Sequence, residues 1–247
     1  SWGHESNEAH TRILRLSLGV AESRAFLAHV DPDVVGPERL EAARERRWFG
    51  DKSAARVRFL LSAMQERFEA FPNAVGVLRA RSLDDATLRL VCHWHVQLAD
   101  PLYRRFSGDL LVKRRAKAPA SIDNATVERW VASKYPDRWG EATRAQFASK
   151  LLASAGEAGL LEGKLTRAIV TPEVPAAALA YLLYLLRETR IKGSLFENPY
   201  LASVGIADLR ARLAEGLPGV SLSGGELAWA APNLDAWSRT GGLTARA

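Results

Sequence analysis

A mainly α fold is predicted for this chain: a helical bundle carrying one small helix–helix–hairpin unit. Three observations predict it. Apolar residues recur at helical spacing through most of the chain. Helix start and stop signals flank those stretches. One stretch, "EATRAQFASKLLASAGEAGLLEGKLTRAIV" (Glu141 to Val170), runs instead from a helix through a glycine stop into a basic turn and a strand-like tail.

The elements follow in order. Ile13 to Val30 reads as one helix closed by Asp31-Pro32. Pro37 to Trp48 reads as a second, with Pro37 in its first turn and Gly50 past its end. Ser53 to Phe71 carries the stripe Val57, Leu60, Leu61, Met64 and Phe68, and Pro72 closes it. Ser82 to Val96 starts at the capping sequence Ser-Leu-Asp-Asp and continues through Leu88, Val91 and His95. Asp100 to Leu111 is short and leads into the charge run "KRRAK" (Lys113 to Lys117), which Pro119 ends. Helices are expected next at Asn124 to Tyr135, Thr143 to Ala155, Val174 to Thr189 and Ile206 to Leu213. A hairpin is expected at Leu160 to Val170, and a small hairpin or packed extension at "LSGGELAWAAPNLDAW". The proline-bounded charge run marks the best boundary. The expected segments are a polar tail (1–12), an N-terminal helical domain (13–118), the helix–hairpin unit (119–172) and a C-terminal helical segment with a loose tail from Gly241 (173–247).

Composition narrows the function classes. Of 247 residues, 47% are hydrophobic and 25% charged, an ordinary globular balance rather than a disordered one. The net charge of +6 and pI near 9.7 tilt the partner toward a polyanion. The lone cysteine, Cys92, makes no internal disulfide and fits a reducing, cytoplasmic setting. The most apolar run, Val174 to Leu186, is 13 residues against the roughly 20 that cross a membrane, so no membrane partner is expected.

Two motifs fail on their chemistry. "FGDKS" (Phe49 to Ser53) has the look of a phosphate loop, but Asp51 separates the glycine from the lysine and no strand precedes it. Asp51 or Ser53 as a helix cap explains it. "CHWH" (Cys92 to His95) offers a thiol and two imidazoles, but on a helix His93 and His95 point about 200° apart. No further ligand stands at a metal-site spacing. No nucleophile elbow and no paired carboxylates stand out. The expectation is a chain with no catalytic residues, no metal and no cofactor, and not an enzyme.

The quoted stretch carries the chemistry. With the residues before it, Ser121 to Val170 reads as helix, connection, helix, then two short strands: Trp130 and Val131 face inward from the first helix, and Phe147, Leu151 and Ala155 from the second, for which Thr143 is the expected N-cap. The opposite face shows Gln146, Ser149, Lys150 and Ala153, small and weakly basic enough to meet a major-groove wall. Gly156 or Gly159 stops the helix, "EGK" turns, and Leu165 to Val170 returns as a strand. That is the order of a winged helix-turn-helix. Lys164 and Arg167 would then reach phosphate. The run Lys113, Arg114, Arg115 and Lys117, with Arg104 and Arg105 nearby, is either a solvated linker or an extension of the phosphate-contacting stripe. With Thr143 and Arg144 at the helix start, these are the candidate DNA contacts.

The chain also resembles a known family, the BrxA proteins of BREX bacteriophage-defence systems. The resemblance rests on "RRWFGDKSAARVRFLLSAMQERFEAFP" (Arg46 to Pro72), "LADPLYRRFSGDLLVKRRA" (Leu98 to Ala116), "LLASAGEAGLL", "TPEVPAAALAYLLYLLRE" and "SLFENPYLASVGI" (Ser194 to Ile206), in order over residues 12–220. It implies a small, mainly helical protein with a winged module that binds double-stranded DNA without catalysis and serves phage defence beside other BREX proteins. "GGELAWAAPNLDAW" has no counterpart in it. Two other functions use the same module: a transcriptional regulator, which would dimerise on a specific operator, and a helical scaffold that binds other defence proteins. The oligomeric state is open at this level.

Overall fold

The computed structural model describes residues 3–243. The chain is mainly helical with two small antiparallel sheets. Its first elements are α1 (Arg12–Arg15), α2 (Val20–His29), α3 (Gly36–Glu45) and α4 (Ala54–Met64). The single helix expected over Ile13 to Val30 is broken into α1 and α2. The Arg67 side chain is buried and donates to the carbonyls of Leu16, Ser17 and Leu18, at 3.0, 2.8 and 2.6 Å. A continuous helix would use those carbonyls internally. Gly19 then turns the chain at φ +67°.

Ser53 caps α4 by accepting from the Arg56 N–H, which accounts for the lysine–serine pair without a nucleotide. All five residues of the predicted α4 stripe are buried. One wide π turn (Gln65–Glu69) leads to α5 (Pro72–Arg79), an element the pattern reading missed. Proline opens α5 as well as ending the helix before it. Next come α6 (Asp85–Ala99), α7 (Pro101–Arg105) and α8 (Leu111–Arg115), the last two joined by a π turn (Phe106–Leu110). Part of "KRRAK" is therefore the end of a helix, not a linker. Gly108 lies where a Cβ would stand 2.4 Å from that of Pro199, so only glycine lets α12 (Pro199–Ser203) approach.

After α8 come β1 (Ser121–Ile122), α9 (Asn124–Lys134), α10 (Glu141–Glu157), β2 (Leu161–Glu162) and β3 (Arg167–Ile169). The chain continues through α11 (Ala176–Glu188), α12, α13 (Leu209–Ala214), the hairpin β4 (Val220–Ser223) and β5 (Glu226–Trp229), and α14 (Leu234–Arg239). From Ala178 to Leu186 every residue of α11 is buried, which makes it a central core helix. Among the described residues no helix is long and apolar enough to cross a membrane. The three expected segments from residue 13 onward share one buried apolar cluster, from Ile13 to Leu243.

Both expected tails lie partly outside the described residues, at 1–2 and 244–247. Their described parts are packed, not loose. Glu5 is buried and accepts from the Tyr200 hydroxyl at 2.8 Å and the Lys192 N–H at 3.0 Å. Leu243 is buried too, and Gly242 lies flat against the Trp237 ring.

Candidate nucleic-acid interface

Residues 119–172 build the candidate surface. Asp123 opens α9 by accepting from the Thr126 N–H at 2.8 Å. Bonds from Thr126 hold the Asp123 carboxyl below the usual carboxylate range. Val131 is buried and Trp130 half-buried, its ring 6.1 Å from Phe106. Tyr135, Trp139 and Phe147 form an aromatic chain, with centroids 4.8 and 4.4 Å apart, that joins the α9–α10 connection to the core.

α10 starts two residues before the expected cap. Gly140 precedes it, and Thr143 sits half-buried in its first turn with no capping bond. Phe147, Leu151 and Ala155 are fully buried along one face. The C-terminus closes at Gly159, φ +76°: the Leu160 N–H bonds the Ala155 carbonyl and the Gly159 N–H that of Gly156, the paired Schellman bonds. Leu160 and Leu161 return to the core. β2 and β1 then pair on either side of β3, all antiparallel, in the order β1–β3–β2. The β2–β3 turn spans Gly163 to Thr166, with Gly163 at φ +96°.

Gln146 and Ser149 are exposed on the outer face of α10, with Lys150 half-buried beside them. Lys164 is exposed in the β2–β3 turn, and Lys117 precedes β1. Lys113 is exposed but paired with Asp109 at 2.6 Å. Arg105 is exposed, 3.2 Å from the Tyr135 hydroxyl.

Five other candidates spend their guanidinium groups on backbone carbonyls of the protein itself, as struts. Arg104 is only 8% exposed and spends its guanidinium on the carbonyls of Gln97 and Ser6, each at 2.7 Å, beside Glu5. Arg115 reaches across to the carbonyls of Ala202, Ser203 and Val170. Arg114 holds the Ser121 carbonyl of β1, and Arg144 that of Pro136. Arg167 ties the hairpin to the Leu152 carbonyl of α10 at 3.1 Å. A charged donor held on backbone carbonyls of the fold serves the structure first.

The structure also gathers basic residues that the pattern reading passed over. α1 packs against α10. The exposed Arg15 stacks on the Phe59 ring, its guanidinium carbon 4.0 Å from the centroid, and Arg56 lies over the same ring at 5.1 Å. The Arg56 guanidinium also donates to the Arg15 carbonyl at 3.1 Å. Arg56 and Phe59, three apart on α4, are legible as a helical pair; the meeting with Arg15 is tertiary. Between 119 and 172 the chain has seven Lys/Arg against six Asp/Glu, so the positive excess lies elsewhere.

"CHWH" lies on α6, fully inside. His93 bonds the Tyr103 hydroxyl and Ser203 Oγ at 2.9 and 2.8 Å. His95 bonds the Arg67 carbonyl and the Tyr181 hydroxyl, each at 2.7 Å. Burial lowers the two imidazole pKa values to about 3 and about 4, and raises the Cys92 thiol to about 11. All four ring nitrogens are engaged within the protein. Among the described residues no group of three or more His, Cys, Asp or Glu could hold a metal. No family model, curated protein or solved structure matches this chain.

Proposed function

We propose that this protein is a non-catalytic duplex-DNA-binding component of a BREX-type phage-defence system, and that residues 119–172 form its winged helix-turn-helix. The observation that carries the DNA reading is strand order. A sheet ordered β1–β3–β2, with a helix pair between β1 and β2 and a tight turn after it, is the connectivity of a winged helix. Its second helix, α10, offers an outer face of small and polar side chains, and the turn offers Lys164. The defence assignment rests on the family resemblance alone. The near-neutral charge of residues 119–172 favours one alternative: the same unit serving as a protein-contact module of a defence scaffold.

A salt-titrated mobility shift with duplex DNA, single-stranded DNA and RNA in parallel tests the proposal. Duplex binding that weakens steeply with salt is expected, because phosphate contacts release counterions. No shift on duplex at 50 mM salt sinks the DNA reading and leaves the scaffold.

A further inference from the structure

Two large apolar side chains are strongly exposed among the described residues: Val35 and Leu165. Leu165 is 89% exposed, in the β2–β3 turn. It does not sit on a loose loop. The hairpin below it pairs Leu161 with Ile169 and Glu162 with Ala168. Gly163 closes the turn at φ +96°, where an added Cβ would stand 3.1 Å from the Thr166 carbonyl oxygen. Arg167 fastens the hairpin to α10. The turn that carries Leu165 thus projects into solvent from a paired, fastened base. Its neighbours Glu162, Lys164 and Thr166 are exposed and polar, and Lys164 has no side-chain partner among the described residues.

We infer that the β2–β3 turn enters the DNA minor groove with Leu165 as an apolar wedge against one base step and Lys164 on the flanking phosphate. The inference rests on the DNA-binding reading above. A lone leucine ringed by polar side chains is too little apolar surface to centre a protein–protein interface. Minor-groove proteins, by contrast, insert single apolar side chains between base steps and bend the duplex. The minor groove, about 6 Å wide, is closed to a helix and open to a turn. With α10 along the major groove, a hairpin fastened to its flank faces the adjoining minor groove. A wedge works best at pyrimidine–purine steps, which unstack readily. The leucine would therefore supply step preference beside the phosphate contact of Lys164.

The test compares the parent with Leu165→Ala and Leu165→Met on duplexes carrying a central TA step or an A-tract. It reads affinity across salt, end-to-end energy transfer for bending, and 2-aminopurine fluorescence at the central step. The parent is expected to prefer the TA duplex, bend it and raise the fluorescence. Leu165→Ala should lose about tenfold in affinity on that duplex. It should also lose the bend, with the salt slope unchanged because no charge is removed. Leu165→Met should retain both. An exposed residue is truncated, so folding is unaffected. If the parent binds duplex but Leu165→Ala binds and bends alike, the wedge is overturned and DNA binding stands. If the parent binds no duplex at any salt, both readings fall together.

Discussion

Removing three lysines together gives the sharpest test of where phosphate contact resides. Lys117, Lys150 and Lys164 are the candidate cations whose side chains make no hydrogen bond or ion pair among the described residues. Lys113 is excluded because Asp109 already neutralises it, and the five strut arginines because they hold carbonyls. Each phosphate neutralised on B-DNA contributes about 0.9 to the slope of log affinity against log salt. A Lys117→Ala, Lys150→Ala, Lys164→Ala variant should therefore have a slope shallower by about 2.7. Between 50 and 200 mM salt, the parent should lose about 40-fold more affinity than the variant. Fluorescence anisotropy on a labelled duplex of about two helical turns, at four salt concentrations, reads the slope. Thermal melting followed by circular dichroism should show no change, since side chains without partners are removed. An unchanged slope on a folded variant that still binds DNA would refute the assignment. Phosphate contact would then lie elsewhere, first of all at Arg15 and Arg56.

The strut assignment predicts the opposite behaviour for Arg115. Arg115→Ala leaves three carbonyls short of a charged donor and should cost about 2–4 kcal/mol after allowance for partial exposure, seen as a melting midpoint lower by about 5–15 °C. Arg115→Lys should restore little, because an ammonium cannot span the three acceptors; full recovery with lysine would show that charge alone matters. The buried histidines predict acid sensitivity. Their folded values, about 3 and about 4, lie below the ordinary 6.5, so the unfolded chain takes up protons first and stability falls as pH drops below about 6.5. Urea unfolding from pH 7 to 5 should show a loss of about 2.7 kcal/mol per pH unit once both sites titrate. His93→Gln should remove about half of it, and a flat profile would contradict their burial as neutral rings.

Periodicity and capping chemistry are local properties, and the sequence alone determined the elements that depend on them. The α4 stripe is legible because its residues repeat at helical spacing, and all of it is buried. The stop of α10 is legible because only glycine takes the left-handed backbone of a Schellman closure at low cost. The β4–β5 hairpin is legible as one of two readings, because Gly224 and Gly225 both supply positive φ at its turn. The apolar length of α11 likewise separates a core helix from a membrane span.

The tertiary structure decided what each charge does. In the sequence Arg104, Arg114, Arg115 and Lys117 are all cations of one basic stretch, with no local sign of which is spent inside the fold. An arginine's use depends on whether carbonyls of distant segments lie within its reach. Arg115 meets residues 55 to 88 positions away, and Arg104 one 98 positions away. The break between α1 and α2 has the same origin, since Arg67 takes its carbonyls from about 50 positions on. Pairing of Arg15 with Arg56 over one ring, and the exposure of Leu165, are likewise properties of assembled surfaces. A sequence carries the period of an element and the chemistry of its ends. Which side chain is left free to meet a partner is set by what the rest of the fold brings within hydrogen-bond distance.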